Sequence, residues 1–359
     1  MIELLHPDIR PINKVGKSFF DEFIRLSYDS DYMLMTSGYI SEDAVFFLKQ
    51  NLENLPKFDL GVGMHGIEGF TKSQYDGLVG LNADMVEGDK GMSYVSDALK
   101  FHGKAYSFFK NDKPFAALIG STNISILGDK DKRQFEIDLL IDDPQVIKNV
   151  VSIQKDLISC SKEIDKFFPS KFIVPNKESY VAKMQNVSHA TIENVPAEAV
   201  SAAKHAVMNA FKFNLRLPCE PKSSLNVIFG RGRGGGESGR GKITKRSWLE
   251  CEIIVSNSVT ALPGYPVKGD KFWVITDDGW SFVCGVQGDY AKNFRSQDDL
   301  HVLGAWLKGR LLNSGVVEYG QRITEETLQA YGRETLFFAK TEMTKNGLPI
   351  YYMDFSQNK

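Results

Sequence analysis

Cysteine is scarce in this chain of 359 residues. The four cysteines are Cys160, Cys219, Cys251 and Cys284. They stand far apart, with no CxxC pair and no histidine at metal-ligand spacing, which argues against a structural zinc site and favours reduced, packed thiols. No apolar run approaches the ~20 residues that span a membrane, and the first residues lack the basic start and apolar core of a signal peptide. These absences predict a soluble, cytoplasmic protein.

The chain also lacks an excess of either charge, because 43 Lys and Arg residues nearly balance 45 Asp and Glu residues. The overall charge therefore indicates neither an acidic nor a basic partner, and local charge has to carry that argument. No GxxxxGK[ST] phosphate-binding loop occurs, and the glycine cluster Gly230–Gly241 does not match one. Any ATP dependence would have to come from a partner. The length predicts two domains, each large enough for its own core.

The first half alternates predicted strands with predicted helices, which indicates an α/β domain with a mixed sheet flanked by helices over residues 1–175. Apolar residues at helical spacing predict a helix at Phe19–Leu26, and Ser41, followed by two acids, predicts the start of another at 44–52. The predicted strands are Asp31–Tyr39, Phe58–Gly63, Phe115–Ile119 and Arg133–Ile141. Asp142-Asp143-Pro144 stops the last strand and starts a helix at Gln145–Cys160.

The second half has a different character. Residues 176–211 are predicted to form a linker that contains a helix, Pro196–Phe211. Residues 212–359 are predicted to form a mainly β domain of short strands and turns. Its predicted strands are Phe213–Leu217, Leu249–Val255, Lys271–Thr276 and Ser281–Val286. Two helices interrupt the β pattern, Asp298–Leu311 and one that starts at Thr324.

The residues with the clearest chemical signal lie in Phe101–Asn123. His102 and Lys104 are two residues apart, so in a strand they would point to the same face. The strand Phe115–Ile119 would run into a Gly120-Ser121 turn and set Asn123 beside them. A nucleophile, a cation and neutral donors around one point suit phosphoryl transfer without requiring a metal. A single histidine in a strand is more often a packed core residue, and the turn is what favours catalysis.

This HxK…GSxN pattern resembles the half-motif of the phospholipase D superfamily. The matching residues are His102, Lys104, Gly120, Ser121 and Asn123. The resemblance implies that His102 is the covalent nucleophile on phosphorus and that Lys104, Ser121 and Asn123 hold the phosphate oxygens. It also places Glu136 where a family carboxylate orients the histidine. The acid that many members carry shortly after HxK is absent, and Phe108 and Phe109 stand there, which weakens a lipase interpretation more than a nuclease one.

Only one such half-motif occurs. The chemistry needs one neutral imidazole to attack and one protonated imidazole to give the leaving oxygen its proton. A single half-site therefore predicts a homodimer in which two His102 residues meet across a two-fold axis, with no divalent metal required. The other histidines lack a Lys two residues later: His6, His65, His189, His205 and His301.

A metal-dependent nuclease is the rival interpretation of the same region. Such centres need clustered acids with a nearby lysine, and the candidate acids are Glu136, Asp138, Asp142 and Asp143. No lysine follows them at a short alternating spacing. Asp142-Asp143-Pro144 is better explained as a strand-to-helix turn.

Two cationic segments in the second half predict DNA contacts. Lys222–Arg246 is glycine-rich and holds seven basic residues against a single acid, Glu237, and Gly288–Ser296 forms a second candidate arm. Cationic arms suit phosphate contacts and bidentate contacts to guanine edges. A flexible, solvated loop is the alternative for the first arm. The predicted DNA-binding residues are Lys222, Asn226, Arg231, Arg233, Arg240, Lys242, Lys245, Arg246, Lys292, Asn293 and Arg295.

The second half resembles the plant-B3-like DNA-binding domain of several restriction endonucleases. The resemblance rests on SSLNVIFGRGR, KRSWLECEIIV, TDDGWSFVC and GDYAKNFRSQDDLHVLGAWLKGRL. It implies a β pseudobarrel whose two arms enter the major groove. Both resemblances together imply a type II-like restriction endonuclease of a restriction–modification system, and some relatives work with a separately encoded ATP-dependent helicase-like subunit. A phospholipase-D-type lipid phosphodiesterase and a non-catalytic DNA-binding regulator are the alternatives.

Overall fold

The computed structural model describes residues 2–6, 16–128, 135–173, 179–185, 188–217, 224–229 and 246–357. The chain divides into two compact units, residues 1–176 with 238–247, and residues 177–237 with 248–359. No helix in these described segments is long and apolar enough to cross a membrane.

The first unit is built on one mixed sheet. Its strands are β1 (Ile2–His6), β2 (Lys17–Ser18), β3 (Tyr32–Ser37), β4 (Lys57–Val62), β5 (Gly91–Val95), β6 (Lys104–Lys110), β7 (Lys113–Gly120), β8 (Asp138–Ile141) and β9 (Lys162–Glu163). They lie in the order β2-β1-β8-β7-β6-β3-β4-β5-β9. The helices are α1 (Phe19–Asp29), α2 (Glu42–Asn51), α3 (His65–Glu68), α4 (Lys72–Glu87) and α5 (Pro144–Ser159), with 3-10 turns at Ile124–Leu127 and Ile164–Lys166.

Strand pairing at the centre of this sheet sets the position of the HxK and GSxN residues. β3 is parallel to β4 and antiparallel to β6. β6 and β7 form a hairpin whose turn residues, Asn111 and Asp112, have φ values of 51° and 58°. The register places Lys104 opposite Gly120, and the β7–β8 pairing places Gly120 opposite Asp138. Residues that are distant in sequence are therefore neighbours at one end of three strands.

Two helix starts confirm the capping predicted from the sequence. The Ser41 side chain accepts a hydrogen bond from the Ala44 N–H and caps α2. The Asp143 side chain accepts from the backbone N–H groups of the first turn of α5, with Pro144 as the first helical residue. Such caps satisfy N–H groups that have no partner within the helix.

Helices cover both faces of the first sheet. One face packs the larger core, in which Phe23 of α1 contacts Tyr106 and Phe108 of β6 with ring centroids 5.9 and 5.7 Å apart. The other face packs against α5 through Ile147 and Val151. Burial on both faces explains the continuous apolar runs of the central strands.

A buried amide fixes α5 to this second face. The Gln154 side chain is 1 % exposed, and its nitrogen donates to the carbonyl oxygens of Leu34 at 3.0 Å and Ala105 at 2.8 Å. Its oxygen accepts from the Ser107 hydroxyl at 2.6 Å. These bonds satisfy a polar group that would otherwise be costly to bury.

The second unit is mainly β. Its strands are β10 (Ile192–Asn194), β11 (Val207–Asn214), β12 (Ile253–Ile254), β13 (Lys271–Thr276), β14 (Trp280–Gln287), β15 (Asn293–Ser296), β16 (Thr335–Lys345) and β17 (Leu348–Asp354). The order is β11-β16-β17-β13-β14-β15-β12, with β10 paired to β14. The helices are α6 (Tyr180–Gln185), α7 (Ala197–His205), α8 (Asn257–Thr260), α9 (His301–Ser314) and α10 (Glu325–Tyr331), with 3-10 turns at Val227–Phe229 and Asp289–Ala291.

Aromatic side chains fill the core of this curled sheet. The rings of Phe338 and Tyr351 stack with centroids 4.6 Å apart, and Phe272 and Phe294 lie 5.6 and 5.1 Å from Phe338. Such pairs bury large apolar surfaces in specific geometries.

Four predicted elements are wrong in extent. The strand predicted at Phe213–Leu217 lies earlier, at Val207–Asn214, and residues 215–217 are not in a strand. The helix predicted at Pro196–Phe211 ends at His205, and the strand β11 begins at Val207. Phe211 and Phe213 are buried at alternate positions, which matches a strand that pairs with β16. Only Ile253–Ile254 of Leu249–Val255 forms a strand. In Arg133–Ile141 the strand is Asp138–Ile141, and residues 133–134 lie outside the described part.

The region predicted as a linker, 176–211, contributes pairing to the second sheet. β10 pairs with β14, and α7 packs Ala203 into the apolar cluster around Trp273. β16 and β17 were not predicted from the sequence. Their pairing with β11 and β13 unites the sheet.

Candidate active site

The predicted catalytic residues line one cleft in the first unit, with a volume of about 650 Å³. Its lining residues are Tyr39, His102, Lys104, Gly120, Ser121, Thr122, Asn123, Ser125, Ile126 and Glu136. All five side chains proposed from the sequence are therefore brought together, although 34 positions separate the first from the last. Their catalytic roles stay predictions.

His102 and Lys104 meet at the start of β6. The Lys104 ammonium nitrogen lies 2.9 Å from Nδ1 and 3.1 Å from Nε2 of the His102 ring, and it donates to the His102 carbonyl oxygen at 2.6 Å. The prediction that the two side chains adjoin holds. The reason differs from simple strand alternation, because β6 begins at Lys104 and His102 precedes it.

The two side chains differ in burial. His102 is exposed, whereas Lys104 is 4 % exposed. Burial lowers the pKa of Lys104, and the negative charges of Glu136 and Asp138 act in the opposite direction. The ammonium is thus held in a poorly solvated position beside carboxylates, where its attraction for a phosphate is little screened by water.

Asn123 is oriented by its own amide oxygen. This oxygen accepts from the Ser37 hydroxyl at 3.2 Å and from the Tyr39 backbone N–H at 3.1 Å. Because the amide is planar, fixing the oxygen on these donors also fixes the direction of the NH₂ group. Asn123 lines the cleft, so its amide nitrogen is available there as a donor.

The turn that carries Asn123 depends on Gly120 and Asp138. A Cβ atom at Gly120 would lie 2.3 Å from the Asp138 carboxylate and 2.4 Å from the Ile137 carbonyl oxygen. Asp138 is fully buried and accepts from the backbone N–H of Thr122 at 3.1 Å and from the Thr122 hydroxyl. Burial raises the pKa of Asp138, and the bonds from Thr122 oppose that rise.

Ser121 lies at the exposed side of the same turn. Its hydroxyl oxygen accepts from the Ile137 N–H at 3.0 Å, and its backbone N–H donates to the Ile137 carbonyl oxygen at 3.1 Å. Ser121 therefore fastens the turn to the residues before β8. A direct contact with phosphate remains a prediction for this side chain.

Gly38 and Tyr39 belong to this site and were not singled out from the sequence, and Asp138 was considered there only as an acid of a metal-dependent centre. A Cβ at Gly38 would lie 3.1 Å from Cδ2 of His102, so a small residue is needed where β3 passes the imidazole. The Tyr39 ring lies edge-on to His102, with centroids 5.5 Å apart. Position 38 is more than sixty residues before the HxK motif, and only the β3–β6 pairing brings it close.

His65, which has no lysine two residues later, has a structural role. It is 7 % exposed, stacks on Phe70 and lies within hydrogen-bond distance of Ile40 and Gly69 backbone atoms. Burial lowers the pKa of this imidazole, and hydrogen bonds to the backbone oppose the shift.

Two of the four acids considered for a metal centre have separate structural roles. Asp143 caps α5, and Asp138 anchors the turn at Thr122. Within the described residues, no group of three or more His, Cys, Asp or Glu side chains is placed to hold a metal ion.

The predicted DNA-binding arms are described in part. Asn226 is buried, and its amide bonds both the N–H and the carbonyl oxygen of Ile323, at 2.9 and 2.7 Å. In β15, Asn293 and Arg295 alternate with buried Phe294, so both lie on the side of the strand away from the aromatic core. Lys292 and Arg246 are half-buried. The residues outside the described part are Lys222, Arg231, Arg233, Arg240, Lys242 and Lys245.

Comparison with protein families covers both units. Residues 16–166 match the model of the NgoFVII restriction endonuclease N-terminal PLD domain. Residues 203–342 match the model of the NgoFVII C-terminal B3-like DNA-binding domain. The chain has the architecture of the NgoFVII restriction endonucleases. The predicted order of a phospholipase-D-like domain and a B3-like domain is therefore confirmed, and a nuclease domain joined to a DNA-binding domain indicates a DNA endonuclease.

Solved structures resemble parts of this chain only distantly. Nuc from Salmonella typhimurium, a phospholipase D family member, is 11% identical with a TM-score of 0.31, covering 45% of this chain and 97% of Nuc. NucT from Helicobacter pylori is 13% identical with a TM-score of 0.29, covering 40% and 89%. The archaeal chromatin protein TrmBL2 is 11% identical with a TM-score of 0.27, covering 40% and 48%. At these TM-scores, the similarities to solved structures support no conclusion about function. A comparison with curated proteins found no match.

Proposed function

We propose that this protein is a sequence-specific, type II-like restriction endonuclease that hydrolyses DNA phosphodiesters through a phosphohistidine, in a dimeric site that needs no divalent metal. The observation that carries the proposal is the convergence of His102, Lys104, Asn123 and Glu136 on one cleft. This set combines a nucleophile, a buried cation and an oriented amide, the groups that stabilise charge on a phosphoryl oxygen.

The first chemical step uses the imidazole of His102. In this mechanism a ring nitrogen attacks phosphorus, a P–N bond forms, and the P–O bond to the leaving oxygen breaks. Lys104 and Asn123 bind the non-bridging oxygens, on which negative charge builds up. Glu136 lies in the same cleft, where its charge favours the ammonium form of Lys104 and supports the orientation of the site.

The second imidazole comes from the partner subunit. The leaving oxygen takes a proton from His102 of the partner subunit, and the same imidazole then accepts a proton from the water that displaces the phosphohistidine. The support is sequence-based, since no other histidine has a lysine two residues later.

Cleavage of plasmid DNA in EDTA tests the chemistry. The wild-type protein should cleave, and His102→Ala should bind DNA but not cleave it. Activity lost in EDTA and restored by magnesium would contradict the proposal. Hydrolysis of phosphatidylcholine vesicles without DNA cleavage would favour a lipid phosphodiesterase, and binding without cleavage by the wild type would favour a regulator.

The dimer is tested separately. Sedimentation should give twice the chain mass, and coexpression of wild-type and His102→Ala chains with different tags should yield mixed dimers without cleavage activity. A mixed dimer that cuts at half the wild-type rate would show that one chain completes the reaction alone. ATP added with a helicase-like subunit is a further condition to test if purified protein does not cut.

DNA recognition is proposed for the second unit. Lys292, Asn293 and Arg295 are the described candidates, and the outward side of β15 supports the last two. Asn226 is left out because its amide is bonded to Ile323. Arg295→Ala should weaken binding and reduce the slope of log K against log salt by ~0.9 for each phosphate that the variant no longer neutralises. An unchanged slope with altered sequence preference would indicate that Arg295 reads a base instead.

A further inference from the structure

His102 has few fixed contacts for a residue that must attack along one direction. Its side chain is exposed and precedes β6, so no core packing holds the ring. Lys104 approaches the ring nitrogens, and Gly38 passes close to Cδ2. A nucleophile that sampled other rotamers would spend less time in line with phosphorus. Some neighbouring group has to restrict it.

The Tyr39 ring contacts this imidazole edge to face. The ring centroids are 5.5 Å apart, and the ring planes make an angle of 74°. This is a favourable geometry for an aromatic pair. The Tyr39 ring also lies edge-on to His65, with ring centroids 5.3 Å apart, so it contacts both a buried and an exposed imidazole.

Both ends of Tyr39 are anchored. Its hydroxyl donates to the Glu68 carboxylate at 2.5 Å, and the other oxygen of that carboxylate lies 3.4 Å from the Lys100 ammonium. Its backbone N–H donates to the Asn123 side chain, and its carbonyl oxygen accepts at 2.8 Å from the Ser37 hydroxyl, which it shares with the Asn123 amide oxygen. One residue therefore contacts the nucleophile through its ring and orients the phosphate-binding amide through its backbone.

We propose that Tyr39, anchored through its hydroxyl to Glu68, is the positioning residue that holds the His102 imidazole in its attacking orientation. The proposal rests on the proposed function for its catalytic consequence. Tyr39 takes no proton and forms no bond to substrate. Tyr39 narrows the range of orientations that the His102 imidazole can adopt.

Kinetics of variants at Tyr39 and Glu68 test this role. Tyr39→Leu removes the ring and should lower kcat for DNA cleavage about tenfold, because an aromatic pair is worth roughly a factor of ten, while KM changes less than about twofold. Tyr39→Phe and Glu68→Ala remove the anchor only and should each lower kcat by about threefold. The double variant Tyr39→Phe/Glu68→Ala should be no slower than either single variant, since both break one bond. Tyr28→Leu, at an exposed tyrosine of α1, is the matched control.

A spectroscopic measurement keeps this test independent of the proposed activity. With ¹³C-histidine in the full-length protein, Tyr39→Leu should move and broaden the His102 ring signals, move those of His65, and leave those of His301 unchanged. If the wild type fails to cut DNA but the His102 signals respond in this way, the proposed function fails and the positioning contact stands. Wild-type kcat in Tyr39→Leu, a loss confined to KM, or unchanged His102 signals would each overturn the proposal.

Discussion

The backbone N–H of Tyr39 donates a hydrogen bond to the side-chain oxygen of Asn123 at 3.1 Å, across 84 residues of sequence. The Ser37 hydroxyl donates to the same oxygen. The end of β3 thus decides which way the Asn123 amide faces, and the sequence motif alone does not contain this information. The oxygen and the nitrogen of this amide therefore have different roles. The oxygen holds the side chain in place, and the nitrogen is available as a hydrogen-bond donor in the cleft.

Asn123→Asp should therefore fold normally and lose activity. A carboxylate oxygen can still accept from Ser37 and Tyr39, but the second oxygen replaces a donor and adds negative charge where a phosphate binds. We expect single-turnover DNA cleavage to fall by about 10²–10³-fold, as for loss of one oxyanion donor, with little change in the melting temperature. Asn149→Asp, on the exposed side of α5, is the control. Wild-type cleavage by Asn123→Asp would show that the amide nitrogen has no part in the reaction.

Alanine substitutions at Gly120, in the cleft, and at Gly103, between His102 and Lys104, should have different effects on stability and cleavage. At Gly120 a Cβ would collide with Asp138 and Ile137 at 2.3 and 2.4 Å. At Gly103 a Cβ would have no atom within 4 Å from the residues that the structure describes, apart from its chain neighbours. Gly120→Ala should lower the free energy of unfolding by about 1–3 kcal/mol, as other overpacked sites do, and reduce cleavage by displacing the turn. Gly103→Ala should change neither quantity measurably. Urea denaturation and plasmid cleavage check both, and equal effects of the two substitutions would be incompatible with this geometry.

Removing the buried amide of Gln154 should destabilise the first unit. In Gln154→Leu the Ser107 hydroxyl has no acceptor in a dry environment, and leaving a buried polar group unsatisfied costs about 1–3 kcal/mol. Fluorescence-monitored urea unfolding should show that decrease. Gln145→Leu, at the first turn of α5 on its exposed side, should show almost none. A neutral effect of Gln154→Leu would mean that the helix is held by its apolar packing alone.

Acid should weaken the second unit through Asp299. Burial opposes ionisation of this carboxyl, but hydrogen bonds from His301 and Ser188, at 2.8 and 2.5 Å, bring its pKa down to about 2. The folded pKa lies below the ordinary 3.8, so the stabilisation is present above pH 3.8 and is lost as the pH falls towards 2. The shift corresponds to about 2 kcal/mol.

The measurement is the free energy of unfolding as a function of pH. Asp299→Asn should be less stable than wild type at pH 7 by about 2 kcal/mol, and the difference should shrink between pH 4 and pH 2. The neighbouring, exposed Asp298→Asn is the control, since asparagine tolerates the positive φ of 65° found there. A pH-independent difference would locate the effect in packing instead of in charge.

The sequence predicts most of the secondary structure of the first unit and the residues that meet at its cleft. Ser41 and Asp143 illustrate why: capping is decided within three or four residues, and the local sequence contains it. The opposite case is Val207–Phe211, which follows an alanine-rich helix in sequence and forms a strand because β16 offers it a long partner. Such tertiary pairing overrides local propensity.

Long-range pairing also explains what was missed at the site. Gly38 and Tyr39 follow β3, and Asp138 begins β8, on opposite sides of the β6–β7 hairpin. Their positions depend on the strand order, which no local pattern contains. Asp138 could have been inferred from the register, because a strand that follows the Gly120 turn and pairs with β7 places its first residue opposite Gly120.

In the β6–β7 hairpin, the contact between the HxK and GSxN residues and the number of residues between them depend on opposite ends of the hairpin. Lys104 faces Gly120 at the open end, and the reversal at Asn111 and Asp112 lies at the far end. Inserting matched pairs of residues near that reversal would lengthen both strands and leave the open end unaltered. The number of residues between HxK and GSxN therefore depends on the length of this hairpin, and it can change without altering the pairing of Lys104 with Gly120 at the open end.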